Sequence, residues 1–241
     1  YTCTEKIARA YSEECNKRGG LMHIHLSETV KEHNECKEKY GKTPTQWFND
    51  IGTFDSRAFA AHCVTLEDSD MEIILNKGVN VVHNPSSNMK LGSGFARVQK
   101  MLDMGINVAL GTDGAASNNN LDMLETMKTS AMIQKAWRED SSAMPVNEVM
   151  AMATSNAGKG LGLDIGRIEE GALADILIID MQGYSFLSPG SFEANLLYSA
   201  HSDCIESVIC NGRFIMRDRC VPGEAEVLAD ARKVMNRIKL I

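Results

Sequence analysis

The sequence lacks any run of about 20 consecutive apolar residues, the length that a helix needs to cross a bilayer, which excludes an integral membrane protein. It also lacks an excess of basic residues. There are 25 Lys and Arg against 32 Asp and Glu, which argues against a nucleic-acid partner. The seven cysteines are odd in number, and none forms a CxxC pair. They therefore indicate reduced thiols in a cytoplasmic protein.

An N-terminal methionine and a basic-then-apolar leader are also absent. Residues 2–5 have the spacing of a capping box, and an amphipathic helical pattern follows directly, up to Gly19 and Gly20. The chain thus opens at the edge of a helix, and we expect it to begin in the middle of a domain.

The overall composition is ordinary for a folded protein, since 44% hydrophobic and 24% charged residues exclude a disordered chain.

Four apolar segments predict buried strands, at residues 21–25, 58–64, 80–83 and 106–110, and a helical pattern follows the strands along the chain. Apolar strands that alternate with helices are typical of a parallel sheet covered by helices. Four such units over about 140 residues match the spacing of an eight-unit barrel, which needs ~250 residues. The sequence therefore predicts an α/β fold that contains half of a barrel.

Two further segments, one between the predicted strands and one after them, have patterns of their own. Residues 84–94 are polar and predict a loop after the third strand. Residues 146–159 begin directly after Pro145 and predict one continuous helix, because proline is favoured at a helix start.

The pattern changes after residue 163, where short β-rich segments replace the strand and helix alternation. Residues 172–180 predict a strand, and Asn211-Gly212 predicts a type I′ hairpin turn between strands at 207–209 and 214–216. Residues 223–240 predict a charged amphipathic helix. We therefore expect two units: residues 1–163 as the half-barrel, and 164–241 as part of a small β-sandwich with a terminal helix.

Polar side chains stand where each predicted barrel strand ends, at His25, His62, His83 and Asp113. A lone histidine at a strand end is usually structural, and a lone Asp before Gly usually forms a turn. Polar residues at four successive strand ends indicate an active site instead, because barrel active sites lie at the carboxyl ends of the strands. Imidazole and carboxylate ligands suit Zn²⁺ or Fe²⁺, and such a metal makes bound water nucleophilic. The pattern favours a metal-dependent hydrolase.

The motifs around these residues resemble those of the amidohydrolase superfamily. They are His25-Leu26-Ser27-Glu28, Ala61-His62-Cys63-Val64, residues 83–92, residues 111–118 and, farther on, residues 166–180. The resemblance is strongest to the branch of S-adenosylhomocysteine/5′-methylthioadenosine deaminases, with triazine chlorohydrolases and guanine deaminases as relatives. It implies the C-terminal half of a (β/α)8 barrel, strands five to eight, plus part of a β-sandwich.

The resemblance also implies roles for individual residues. His25 matches a zinc ligand, and Asp113 matches the carboxylate that binds zinc and takes the proton of the attacking water. His62 matches a histidine that contacts this water or binds metal. Glu28 matches the acid that protonates the purine ring, and Glu28, Asp113 and Ser117 match positions at the substrate. These roles are chemically consistent with a general base and a general acid on two sides of a substrate.

Two histidines have no such role. His23 has His-x-His spacing with His25, but the pair lies within the fifth-strand motif, so we expect His23 not to be a ligand. The family's first-strand His-x-His pair has no counterpart before His25. For His83 we expect a hydrogen bond that shapes the segment 84–92.

Two classes of function are therefore open. The first is a zinc-dependent hydrolytic deaminase of adenine nucleoside thioethers that releases ammonia, with Fe²⁺ as the other metal. A triazine chlorohydrolase or aminohydrolase, or a guanine deaminase, is the alternative within this class. The second is a non-catalytic fragment. The expected partners are a small nucleoside or heteroaromatic amine, and either the missing N-terminal barrel half or another copy, because an open sheet leaves unpaired edges.

Overall fold

The computed structural model describes residues 3–238. Thr2, the first residue of the expected capping pattern, and the last residues of the expected terminal helix, from Lys239 onward, lie outside the described residues. The first helix begins at Glu5, and its N-cap is Thr4, whose hydroxyl accepts from the Ile7 N–H at 3.4 Å. Within them, no helix is long and apolar enough to span a membrane.

The first sheet has four parallel strands in the order β1-β2-β3-β4. These are β1 (Met22–Leu26), β2 (Ala58–His62), β3 (Asn80–His83) and β4 (Val108–Leu110). All five residues of β2 are buried, as expected for an inner strand of a sheet. The predicted parallel sheet is confirmed, and the carboxyl ends of its strands lie at one edge.

Twelve α-helices occur in the part of the chain that the structure describes. They are α1 (Glu5–Arg18), α2 (Val30–Tyr40), α3 (Pro44–Asp50), α4 (Asp68–Asn76), α5 (Pro85–Lys90), α6 (Val98–Asp103), α7 (Ala115–Asn118), α8 (Met123–Arg138), α9 (Val146–Ala153), α10 (Ser155–Leu161), α11 (Phe192–Tyr198) and α12 (Glu224–Met235). The main core lies between these helices and one face of the sheet, which presents Ala60, Val81 and Val108. All three are fully buried.

Two predictions about the helices are wrong. The expected polar loop 84–94 contains α5, because Pro85 at its first position has a φ suited to a helix start. The expected continuous helix 146–159 is broken into α9 and α10 at Thr154, where φ is −132° and ψ is −90°. There the Thr154 hydroxyl donates to the Met150 carbonyl, and the backbone of Gly166 passes so close that a Cβ would clash with Thr154.

The second sheet is antiparallel, in the order β5-β6-β7. Its strands are β5 (Ile176–Ile179), β6 (Ile205–Cys210) and β7 (Arg213–Met216). Asn211 and Gly212 have φ of 48° and 74°, which confirms the type I′ turn. The fold class predicted from the sequence is thus confirmed. The division at residue 163 stays a prediction, and α11, which lies beyond it, packs against α8 and α9.

Candidate active site

Three of the predicted site residues meet at the carboxyl edge of the parallel sheet. His25, His62 and Asp113 each offer a ligand atom, and these atoms all lie within 4.8 Å of one another. The two imidazole rings are stacked, with centroids 5.1 Å apart. Neighbouring parallel strands end side by side, so residues separated by up to 88 positions share one small volume.

The backbone at this edge adopts an uncommon conformation. Ser27, His62, Cys63 and Asp113 have positive φ, between 47° and 74°, although none is glycine. Strict alternation along β2 would put His62 on the face of Ala58 and Ala60, away from His25. The left-handed turn at His62 brings its ring instead to the ring of His25. Such backbone strain is concentrated at functional sites in proteins, and its position here is consistent with one.

Asp113 is held as an anion by its surroundings. Burial raises the pKa of this carboxyl, but hydrogen bonds from the Ser87 hydroxyl and the Gly114 N–H, with His62 and His25 beside it, bring the pKa below its usual value. Both bonds are 2.6 Å long, one to each carboxylate oxygen. An ionised carboxylate at this place can bind a cation or accept a proton.

His62 is oriented by an amide side chain. Its Nδ1 lies 2.8 Å from Oδ1 of Asn88, and because that oxygen can only accept, Nδ1 carries the proton. The lone pair of the ring is then on Nε2. A histidine that donates from one nitrogen to a fixed acceptor is the usual arrangement of a metal ligand.

Ser87 and Asn88 are neighbours on α5, and sequence reasoning missed both. One bonds to Asp113 and the other to His62, so a single helical turn sets the orientation of two site residues from different strands. The signal that could have found this turn is Asn84-Pro85 after a strand, which starts a helix.

Glu28 lies in the loop between β1 and α2 and is buried. Its carboxylate accepts a 3.4 Å hydrogen bond from the hydroxyl of Ser93, and its backbone N–H donates to Glu32. Ser117 is half-buried on α7, four residues beyond Asp113. Neither residue belongs to the group of three ligand atoms.

The expectation for His83 is wrong within the described residues, where neither ring nitrogen has a hydrogen-bond partner. His83 lies on the same face of β3 as Val81, the face that packs against the helices, so its ring is buried in the interior. Burial, with His62 nearby, lowers the pKa of His83 to about 3. His23, on the exposed side of β1, is not in the ligand group, and its pKa is lowered by burial and by His25 and His62.

This buried His83 predicts acid sensitivity. In the unfolded chain this imidazole takes up a proton below about pH 6.5, whereas in the folded protein it stays neutral down to about pH 3. The free energy of unfolding therefore falls as the pH falls through this window. At about 1.4 kcal/mol per unit, the loss reaches about 2 kcal/mol at pH 5. Urea unfolding of the full-length polypeptide at pH 7 and pH 5, with a chelator present, should show a smaller loss of stability for His83→Leu than for wild type. His201→Leu, at an exposed position, is the control and should lose as much stability as wild type. An equal loss in His83→Leu and wild type would contradict the link between acid sensitivity and His83.

A family model described as the amidohydrolase family matches residues 1–215. The chain is 44% identical, over 99% of its length, to a 5-methylthioadenosine/S-adenosylhomocysteine deaminase of Thermoanaerobacter pseudethanolicus, of which it covers 55%. It is 42% identical, over 95% of its length, to a 5′-deoxyadenosine deaminase of Methanothermobacter thermautotrophicus, of which it covers 53%. The chain spans about half the length of the curated relatives it matches.

A solved structure of an adenosine deaminase from Xanthomonas campestris with bound zinc has the same fold over the whole chain. The TM-score is 0.95 at 29% sequence identity, and the chain covers 56% of that protein. A guanine deaminase from C. acetobutylicum with bound guanine has a TM-score of 0.75 at 25% identity, over 88% of this chain and 52% of that protein.

Proposed function

The chain belongs to the amidohydrolase family, and from this premise we propose that it supplies one part of a metal-dependent deaminase site for 5′-modified adenosine nucleosides. The observation that carries the proposal is the convergence of His25, His62 and Asp113 on one point. The relatives named as deaminases of 5′-deoxyadenosine, 5-methylthioadenosine and S-adenosylhomocysteine support the substrate class. Within this class we propose the thioether nucleosides as substrates.

The donor set fits a divalent transition metal. Two imidazoles and a carboxylate within 4.8 Å are the ligand types that Zn²⁺ and Fe²⁺ prefer, and His62 has its Nε2 lone pair available. We propose zinc, the metal bound in the Xanthomonas campestris neighbour, with Fe²⁺ as the alternative. Further ligands would come from a His-x-His pair in the part of the relatives that this chain does not match.

Zinc, when bound, supplies a Lewis acid that makes water nucleophilic near neutral pH. Asp113 stays ionised through its bonds to Ser87 and Gly114 and accepts the proton of that water. Glu28 donates a proton to the ring nitrogen next to the attacked carbon. The water oxygen forms a bond to this carbon, and Asp113 passes the proton it took from the water to the amino group. The carbon–nitrogen bond then breaks and ammonia leaves, while the remaining hydroxyl proton goes to Glu28 as the carbonyl forms. His62 orients the attacking water, and Ser117 contacts the substrate from α7.

The full-length polypeptide that contains these residues tests the proposal. We expect bound zinc by elemental analysis and ammonia release from 5′-methylthioadenosine, S-adenosylhomocysteine and 5′-deoxyadenosine. Guanine and atrazine belong in the same panel. Preferential turnover of either would favour the alternative enzymes, and no turnover of any compound would favour a non-catalytic protein.

The orienting turn on α5 makes a further prediction. Ser87→Ala and Asn88→Ala each remove the hydrogen bond that holds a site residue, so we expect zinc affinity or activity to fall about 10–100-fold. Zinc titration against a competing chelator measures the affinity. Ser86→Ala is the matched control, since Ser86 is on the same helix and makes no side-chain hydrogen bond among the described residues. Unchanged affinity and activity in both variants would refute the orienting role.

A further inference from the structure

We infer that Glu32 is a positioning residue that fixes the backbone of Glu28. The inference rests on the proposed function, because it concerns the proposed acid. Glu32 is on the first turn of α2, and its Oε2 accepts a 2.7 Å hydrogen bond from the backbone N–H of Glu28. Both residues are buried, Glu28 at 6% exposure and Glu32 at 7%. A charged acceptor in a buried place makes one of the stronger hydrogen bonds of proteins.

The position of Glu32 is itself well defined. Its backbone N–H donates to Oγ1 of Thr29, the N-cap of α2, at 3.1 Å. In a standard capping box the third helical residue returns its side chain to the N-cap N–H. Helix α3 has this standard form, with Gln46 accepting from the N–H of Thr43 at 3.0 Å. In α2 the Glu32 carboxylate reaches instead to the residue before the cap, which is Glu28.

The other side of Glu28 is held by the segment that directly follows β2. Ser27, directly before it, has a φ of 47°, a conformation that costs roughly 1–3 kcal/mol and persists only where the surroundings enforce it. The Ser27 carbonyl accepts from the N–H groups of Val64 at 3.1 Å and Thr65 at 2.9 Å. Glu28 thus lies between Ser27, whose carbonyl is held by Val64 and Thr65, and a helix start held by Glu32. Its side chain leaves from a backbone with little freedom.

Fixing this backbone matters for the proposed reaction. A proton donor must stay within hydrogen-bond reach of the atom that it protonates, and a displacement of about 1 Å can lower a rate about 100-fold. Loss of Glu32 should therefore lower kcat and leave the substrate and zinc contacts of other residues in place. The effect on KM should be small.

The experiment compares three variants in the full-length polypeptide. Glu32→Ala removes the acceptor, and we expect kcat for 5′-methylthioadenosine to fall about 10–100-fold with KM within about threefold. Glu32→Gln retains an acceptor oxygen and should recover most of this loss. Glu35→Gln, on the same helix, changes an exposed carboxylate that pairs with Lys31 at 3.7 Å, and should behave as wild type. Zinc content should be equal in all of them.

Hydrogen exchange of the peptide covering residues 27–33 gives a readout that needs no activity. The Glu28 amide should be protected in wild type and in Glu35→Gln, and should lose protection in Glu32→Ala. Wild-type kcat or unchanged protection in Glu32→Ala would overturn the inference. A kcat loss that Glu32→Gln does not recover, or that follows zinc loss, would also overturn it. Absence of deaminase activity in wild type would contradict the proposed function alone, because the exchange comparison still decides the role of Glu32.

Discussion

Glu28→Gln should keep the fold and the bound zinc but lower kcat for a 5′-modified adenosine by about 10²–10⁴-fold, the usual contribution of a positioned acid. Glutamine has nearly the same shape, so it can still accept from the Ser93 hydroxyl. The bond to the Glu32 carboxylate comes from the backbone N–H of residue 28 and does not depend on its side chain. What the variant loses is the carboxyl group that we propose as the proton donor. The expected loss is therefore in kcat rather than in folding or metal binding.

Steady-state kinetics with zinc analysis of the same samples measures this effect. Glu35→Gln makes the same chemical change at an exposed site and should leave kcat unchanged. Ser93→Ala should have a milder effect than Glu28→Gln, because it removes only one 3.4 Å hydrogen bond to the carboxylate. Wild-type kcat in a zinc-loaded Glu28→Gln enzyme would show that the proton comes from another group.

The 241 residues alone should be poorly stable, and pairing with the rest of a barrel should stabilise them by on the order of 10 kcal/mol. This pairing would bury several hundred Å² of apolar surface, at about 25 cal/mol per Å². Among the described residues, β1 and β4 are the outer strands of the sheet. An apolar groove runs beside β1, lined in part by Ile7, Tyr11 and Ile24.

The exposed apolar surface lies beside β1 and not on the face of the sheet that carries His25. Residues on the open face of the sheet such as Ala61 and Ala109 are small and buried, whereas Ile7 and Tyr11 beside β1 are more than half exposed. The antiparallel sheet also exposes Leu177, Phe214 and Ile215. We therefore propose that the remainder of the barrel covers the β1 edge. A stabilisation of this size is comparable to the total stability of a domain, about 5–15 kcal/mol.

Sedimentation and thermal melting of residues 1–241 test this prediction. By themselves these residues should associate or melt without cooperativity. Co-expression with the part of a relative that this chain does not match should give a one-to-one complex with a cooperative melt. A well-defined dimer of residues 1–241 would favour another copy as the partner. A soluble monomer with a cooperative melt would contradict the prediction.

Local sequence determined much of the fold and the identity of three central residues. The apolar strands followed by helices predicted a parallel sheet, because only a sheet covered on both faces buries such strands. Asn211-Gly212 predicted its hairpin turn, because these residue types tolerate positive φ. His25, His62 and Asp113 were found from their places at strand ends, because parallel strands present these ends at one edge.

Only the tertiary structure decided how those residues are held. His62 joins His25 through a left-handed backbone turn that strand alternation does not predict. Ser87 and Asn88 reach Asp113 and His62 across 26 positions each, from a segment whose composition suggested a loop. His83 has the same residue type and strand-end position as His62, yet it is buried without a partner among the described residues. The local sequence pattern determines which residues lie at the carboxyl edge of the sheet. Their side-chain partners and their backbone strain depend on contacts between segments that are distant in sequence, and a local pattern does not contain this information.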